Sequence, residues 1–460
     1  MQKAAPAENK MGVMPIPKLI LNMSLPMILS MQVQALYNVV DSYFVARYAQ
    51  DALTAVSLAF PAQNLMIGVA TGTAVGVNAL LSRALGEKRP EVANQIAENG
   101  VFLALVGYAI FLLFGLFGVR KFFATQTGVT QIIDYGVDYL TVICCFSFGV
   151  FGQIMFERLM QSTGRTIYTM FTQGAGAIIN IILDPIFILG LKQGARGAAV
   201  ATVIGQIIAF ALAVALNHFK NEDIRLNMRR FRPNPAMIRR IYAIGVPSIL
   251  MIAIGSVMTF LFNIILITYT KAAELSATVF GIYFKLNSFV FMPVFGLNNG
   301  IIPIIAYNYG ARNRRRMMEA VKLAVIYAAS YILLGMLAFM IIPGPLLKIF
   351  NASEDMLRVG IPALRIIGST VLFAGTCIAM GSVFQALGYG TYSMIVSFAR
   401  QLVVLLPSAY VLARVGMRTG NDVLVWLSFP IAEIASLATT LFLFSRLYKN
   451  VIRNIPEGTA

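Results

Sequence analysis

LPMILSMQVQALYNVVDSYFV, residues Leu25 to Val45, is apolar throughout except for a few polar side chains and one acid, Asp41. A run of about 20 such residues is long enough to cross a bilayer as a helix. A carboxylate at that depth costs at least about 2.5–3.5 kcal/mol. It is therefore expected to have a partner or a use. A second acid, Asp184, lies in another apolar run, Ala175 to Leu191. Two buried acids point to the handling of cations or protons.

The rest of the chain is of the same kind. Its 460 residues are 58% hydrophobic and 12% charged, with a mean hydropathy of +0.77. Soluble domains are about a quarter charged. Twelve apolar runs are expected as spanning helices, near 18–46, 53–82, 92–118, 131–158, 166–190, 196–218, 238–269, 275–306, 318–343, 357–386, 391–413 and 422–445. The fold class is thus an all-α polytopic membrane protein. The net charge of +17 does not imply nucleic acid, because the basic residues sit between spans. Termini and even-numbered connections hold 23 of the 36 Lys and Arg residues. This bias places both ends in the cytoplasm of a cell-membrane protein. In that count Arg158 is a loop residue at the end of the fourth span.

Cys144, Cys145 and Cys377 lie within apolar runs, so no disulfide or metal pattern is expected. His218, the single histidine, offers no catalytic dyad. No Gly-rich phosphate loop with a Lys is present. Neither an enzyme nor a cofactor is expected. The polar N-terminal stretch lacks the apolar core and cleavage site of a signal peptide.

The longest polar stretch falls at His218 to Arg240 and divides the spans six and six. The expected divisions are a cytoplasmic tail 1–17, an N-lobe 18–218, a linker 219–237, a C-lobe 238–445 and a tail 446–460. The halves match each other. Pro26 matches Pro247, and Gln161-Ser162-Thr163-Gly164 matches Gln385-Ala386-Leu387-Gly388, with Tyr168 and Tyr392 following. Six spans per half give two parallel repeats, an arrangement found in secondary transporters with the substrate between the halves.

Polar residues inside the spans cluster by helical spacing. Gln34, Asn38 and Asp41 are placed on one face of the first span, beside Tyr37. Gln173, Asn180 and Asp184 share a face of the fifth, with Pro185 next. The sixth adds Thr202 and Gln206, and the second adds Gln63 and Asn64. Pro26 is a natural kink point in the first span. Two neighbouring acids can share a proton, and carboxylate, amide and hydroxyl oxygens also suit an alkali cation. Proton and Na+ stay open. In the second half, positions matching the two acids are Phe262 or Asn263, and one near Leu406. The N-lobe is therefore expected to bind the ion and the C-lobe to supply surface for a substrate. Lys285, Arg400 and Glu433 are the charges within C-lobe spans. Glu433 is either an ion-pair partner of one of the cations or an anionic anchor for a cationic substrate.

The segments Ser24-Leu25-Pro26-Met27-Ile28, Ala35-Leu36-Tyr37-Asn38-Val39-Val40-Asp41, Gln161-Ser162-Thr163-Gly164 and Asn180-Ile181-Ile182-Leu183-Asp184-Pro185 resemble the multidrug and toxic compound extrusion (MATE) transporters, over about residues 15 to 450. The DinF-like branch is the most similar. That resemblance implies antiport, in which inward flow of H+ or Na+ drives export of lipophilic, often cationic, drugs by alternating access. It implies a coupling-ion site on Asp41, Asn180, Asp184 and Thr202, the same residues holding Na+ if that is the ion. The acids that the NorM-like branch carries on its seventh and tenth helices have no counterpart in the matching spans. The implied partners are small organic molecules and the lipid bilayer, for a protein that is a monomer. A flippase of lipid-linked precursors or polysaccharide, from the same broad superfamily, is the alternative; a narrow metabolite exporter and a channel rank below it.

Overall fold

In the computed structural model, residues 9–350 and 352–457 are described, apart from the side chains of Ala46, Gln50 and Arg230. The N-lobe consists of α1 (Ile16–Tyr48), α2 (Gln50–Gly86), α3 (Pro90–Phe117), α4 (Thr130–Cys145 with Phe148–Ser162), α5 (Thr166–Pro185) and α6 (Gly194–Lys220). The C-lobe consists of α7 (Pro235–Tyr269), α8 (Ala273–Gly310), α9 (Arg314–Ile341), α10 (Glu354–Gly368 with Val371–Ala386), α11 (Gly390–Phe398, continuing as Leu406–Thr419) and α12 (Ser428–Asn450). Among the described residues, ten helices are long and apolar enough to cross a membrane, and α4 and α10 are bent pairs. The chain is a multi-pass membrane protein of twelve helices.

Duplication is visible in the backbone. α4 bends by 45° and α10 by 47° at equivalent breaks. Gly164 and Gly388 both take positive φ, +85° and +88°. α5 passes after Pro185 into a π-helical turn, Ile186–Gly190, and α11 contains a longer one, Ala399–Leu405, just before Pro407. Proline removes an N–H from the helix ladder, and wide turns of this kind re-aim nearby side chains.

The lobes meet mainly along three helix pairs, α1 with α8, α2 with α7 and α2 with α8, on the half of the bundle nearer the chain ends. The backbones touch there. A Cβ on Gly76 would lie 2.3 Å from the Ile241 carbonyl oxygen, and one on Gly310 would lie 2.2 Å from that of Arg83. Glycine is what permits this approach. The Ser24 hydroxyl donates to the Leu297 carbonyl across the same seam. Farther along, Asn64 Nδ2 donates to Ser256 Oγ at 2.9 Å.

The ends of the chain are tied into this face. Lys10–Val13 forms a short helix within the N-terminal tail, which is packed from Asn9 onward. Asn9 Nδ2 donates to the Thr163 carbonyl in the N-lobe. Arg316 and Asn308 in the C-lobe donate to the Met11 carbonyl. Residues 1–8 and 458–460 lie outside the described residues. The linker is also anchored: backbone N–H groups of Arg225, Asn227 and Asn234 donate to Asn94, Glu98 and Asn99 of α3.

Gly76→Val should hold the lobes apart at this seam. Overpacking of this kind costs about 1–3 kcal/mol. A lower melting temperature or a longer α2–α7 spin-label distance is expected, and neither changing would contradict the seam.

Candidate ion and substrate site

The sequence places Asn180 and Asp184 one turn apart, and α5 points both inward. Asp184 is fully buried and Asn180 and Thr202 nearly so. Asn180 Nδ2 donates to Asp184 Oδ1 and to Thr202 Oγ1, each at 3.3 Å. One amide therefore joins the fifth-helix acid to the sixth helix. Asp41 stands on α1, which packs against α5, the helix that carries Asp184. Asp41 Oδ1, Asp184 Oδ2 and Asn180 Oδ1 are buried with no hydrogen-bond partner among the described residues. Three hard oxygens so placed can take up a proton or an alkali cation.

Beside this group is a cavity of about 280 Å³ within the N-lobe. Gln34, Tyr37, Asn180, Thr202 and Gln206 line it, and Met292, Phe295 and Asn299 of α8 are its contribution from the C-lobe. Most of its lining residues come from the N-lobe. Around Phe262, one of the C-lobe positions matching Asp41, the space is packed with aromatic rings. The Phe262 ring centroid lies 4.7 Å from that of Phe280, 5.2 Å from Phe429 and 6.2 Å from Trp426.

Not every expected residue joins the site. Asn38 is exposed; the inward face of α1 runs through Gln34, Tyr37 and Asp41. Gln63 accepts from the Tyr139 hydroxyl at 3.3 Å, and Asn64 bonds across the lobes instead. α1 runs unbroken through the buried Pro26, whose carbonyl accepts from the Ser30 hydroxyl. Lys285 is exposed, with its ammonium 5.9 Å from the Phe350 ring centroid. Glu433 is buried and accepts from Arg400 at 2.7 Å, the ion-pair alternative of the two readings.

Tyr139, Glu157 and Arg158 escaped the sequence reading. Arg158 is no loop residue. It is 7% exposed, and its Nη1 donates to Gln161 Oε1 and to Asn299 Oδ1 of the other lobe, both at 2.9 Å. The bend in α4 carries its second segment on to Ser162, which puts Glu157 and Arg158 inside the bundle. The available signal was the spacing of Gln153, Glu157 and Gln161, every fourth residue and hence one helix face.

Two six-helix lobes closed on each other at one end, with buried acids beside a cavity, define a two-lobe membrane transporter. The MatE family model matches residues 26–186 and again 247–411, once in each lobe, and the chain belongs to this family of multidrug efflux transporters, which are not enzymes. It is 26% identical over 427 residues to the "Multidrug export protein MepA" of Staphylococcus haemolyticus (strain JCSC1435), covering 93% of this chain and 92% of that protein. The protein of the same name from Staphylococcus aureus (strain MSSA476) is also 26% identical, over 434 residues and 94% of each chain. Among solved structures, the "Outward-facing conformation of a multidrug resistance MATE family transporter of the MOP superfamily" superposes with a TM-score of 0.90 at 23% identity, over 98% of this chain and 100% of that one. That similarity establishes the fold.

Glu433→Gln should leave the Arg400 guanidinium without its counter-charge. Breaking a fully buried pair costs about 3–5 kcal/mol; the loss here should be smaller, because the Arg400 side chain is 31% accessible. A lower melting temperature is expected with an unchanged substrate range. Loss of cationic substrates alone, at unchanged stability, would make Glu433 an anchor instead.

Proposed function

We propose that the chain is a cation-coupled antiporter of the DinF-like branch that exports lipophilic, cationic drugs by alternating access. The observation that carries this reading is the group of unpartnered buried oxygens on Asp41, Asp184 and Asn180, next to a cavity of ligand size. The coupling ion, H+ or Na+, binds there. Asn180 and Thr202 hold Asp184 in position. With both acids charged, mutual repulsion and desolvation oppose close packing of α1 on α5. Neutralising them relieves both terms. That difference is enough to bias two conformers a few kcal/mol apart. The closed seam at the end bearing the termini is one of those conformers. The Lys and Arg bias puts that end in the cytoplasm, so the state is the one that releases drug outward.

Asp41→Asn keeps the shape of the side chain and removes its titratable charge. Expressed in a pump-deficient host, it should give drug resistance no better than the empty host at normal protein level. Asp184→Asn should do the same, and the double variant should be little worse, because groups acting as a unit are not additive. Full resistance from well-expressed Asp41→Asn would overturn the assignment, and independent, additive losses would place the two acids in separate sites.

A further inference from the structure

Glu157 is a buried acid of the N-lobe that the ion site above does not use. It is 2% exposed and lines the cavity. Its Oε1 accepts from Thr172 Oγ1 at 2.8 Å and from Gln153 Nε2 at 3.0 Å. Its Oε2 accepts from Gln173 Nε2 at 2.7 Å. All three partners are neutral. Arg158, the next residue, directs its guanidinium to Gln161 and Asn299. A carboxylate removed from water with only neutral donors around it is destabilised as an anion. A proton or a bound cation relieves it.

The surroundings accommodate both. The Thr172 hydroxyl lies 2.8 Å from Glu157 Oε1 and 2.9 Å from the Thr169 carbonyl, and a hydroxyl has one proton to give. With Glu157 ionised, that proton goes to Oε1. With Glu157 protonated, the hydroxyl turns to Thr169 and accepts from the acid. Each charge state is hydrogen-bonded without movement of a helix.

A second observation says what kind of ligand suits the cavity. Gln173 Oε1, Gln206 Oε1 and Asn180 Oδ1 are buried without hydrogen-bond partners, and all three residues line the cavity. Among the described residues, no cavity-lining side chain has a buried donor atom in the same condition. An excess of acceptors beside a carboxylate selects N–H donors on a positive group. Met27, Met31, Ile67 and Phe295 on the walls suit an apolar body.

We propose that Glu157 is the anchor for the cationic head of organic ammonium substrates and holds a proton when that cation is absent. On binding, the carboxyl gives up its proton to solvent water, and the ammonium nitrogen donates to the resulting Glu157 carboxylate and to the free glutamine oxygens. This deepens the export reading: it rests on that reading's substrate class and is independent of the role of Asp41. The occupied cavity then lies beside the Arg158–Asn299 bond that joins the lobes.

The test is binding of adamantan-1-amine, a cation at neutral pH, against the uncharged adamantan-1-ol, by calorimetry on the purified full-length protein. The wild type should prefer the ammonium at least tenfold. Glu157→Gln should lose that preference while binding the alcohol as before, and Glu157→Asp should keep part of it. Should Glu157→Gln fail to fold, Gln206→Leu carries the test, with at least a threefold loss for the ammonium alone. Equal loss for both probes there, or none, overturns the proposal. A wild type without preference, or a folded Glu157→Gln that keeps it, overturns the Glu157 assignment alone. A wild type that binds neither this ammonium nor any other lipophilic cation removes the export reading along with it.

Discussion

A carboxylate in the middle of a helical membrane bundle has to find donors, a cation or a proton, and the N-lobe is arranged around that constraint. Asp184 is fully buried and holds one amide hydrogen bond, from Asn180. Its other oxygen has none. The same amide reaches Thr202 on α6, so the position of the fifth helix against the sixth is tied to the state of the acid. The π-helical turn that follows Pro185 lies immediately beyond it.

The C-lobe shows what the same fold does without that constraint. It repeats the bend of α4 in α10 and the wide turn of α5 in α11. Its Asp41-equivalent region is filled by packed aromatic rings around Phe262. Its buried charge is neutralised internally, Glu433 by Arg400. The positions that match Asp41 and Asp184 carry no acid in the C-lobe.

Most of the architecture was legible because a bilayer leaves the backbone few options. Twelve runs, two parallel halves and the inward placement of Asp184, Asn180 and Thr202 follow from apolar length and helical spacing. Asn38, within one turn of Asp41, is exposed, which helical spacing alone does not encode. The breaks in α4 and α10 were not legible, because bends at Phe146–Ser147 and Ser369–Thr370 depend on packing rather than on a proline. That missed bend had a consequence. Ending the fourth span at residue 158 turned Arg158 into a loop cation and left Glu157 unnoticed. The interlobe pairing of Asn64 with Ser256 depends on how the halves dock, which spacing within one helix does not encode.

The most direct measurement is transport by the purified protein in liposomes, with proton and sodium gradients imposed separately and a lipophilic cation as cargo. Coupling through the N-lobe acids predicts uphill movement of the cargo under one of the two gradients, and none when Asp41 and Asp184 are both replaced by Asn. Uphill movement that survives that double replacement, or that neither gradient can drive in the wild type, would contradict it.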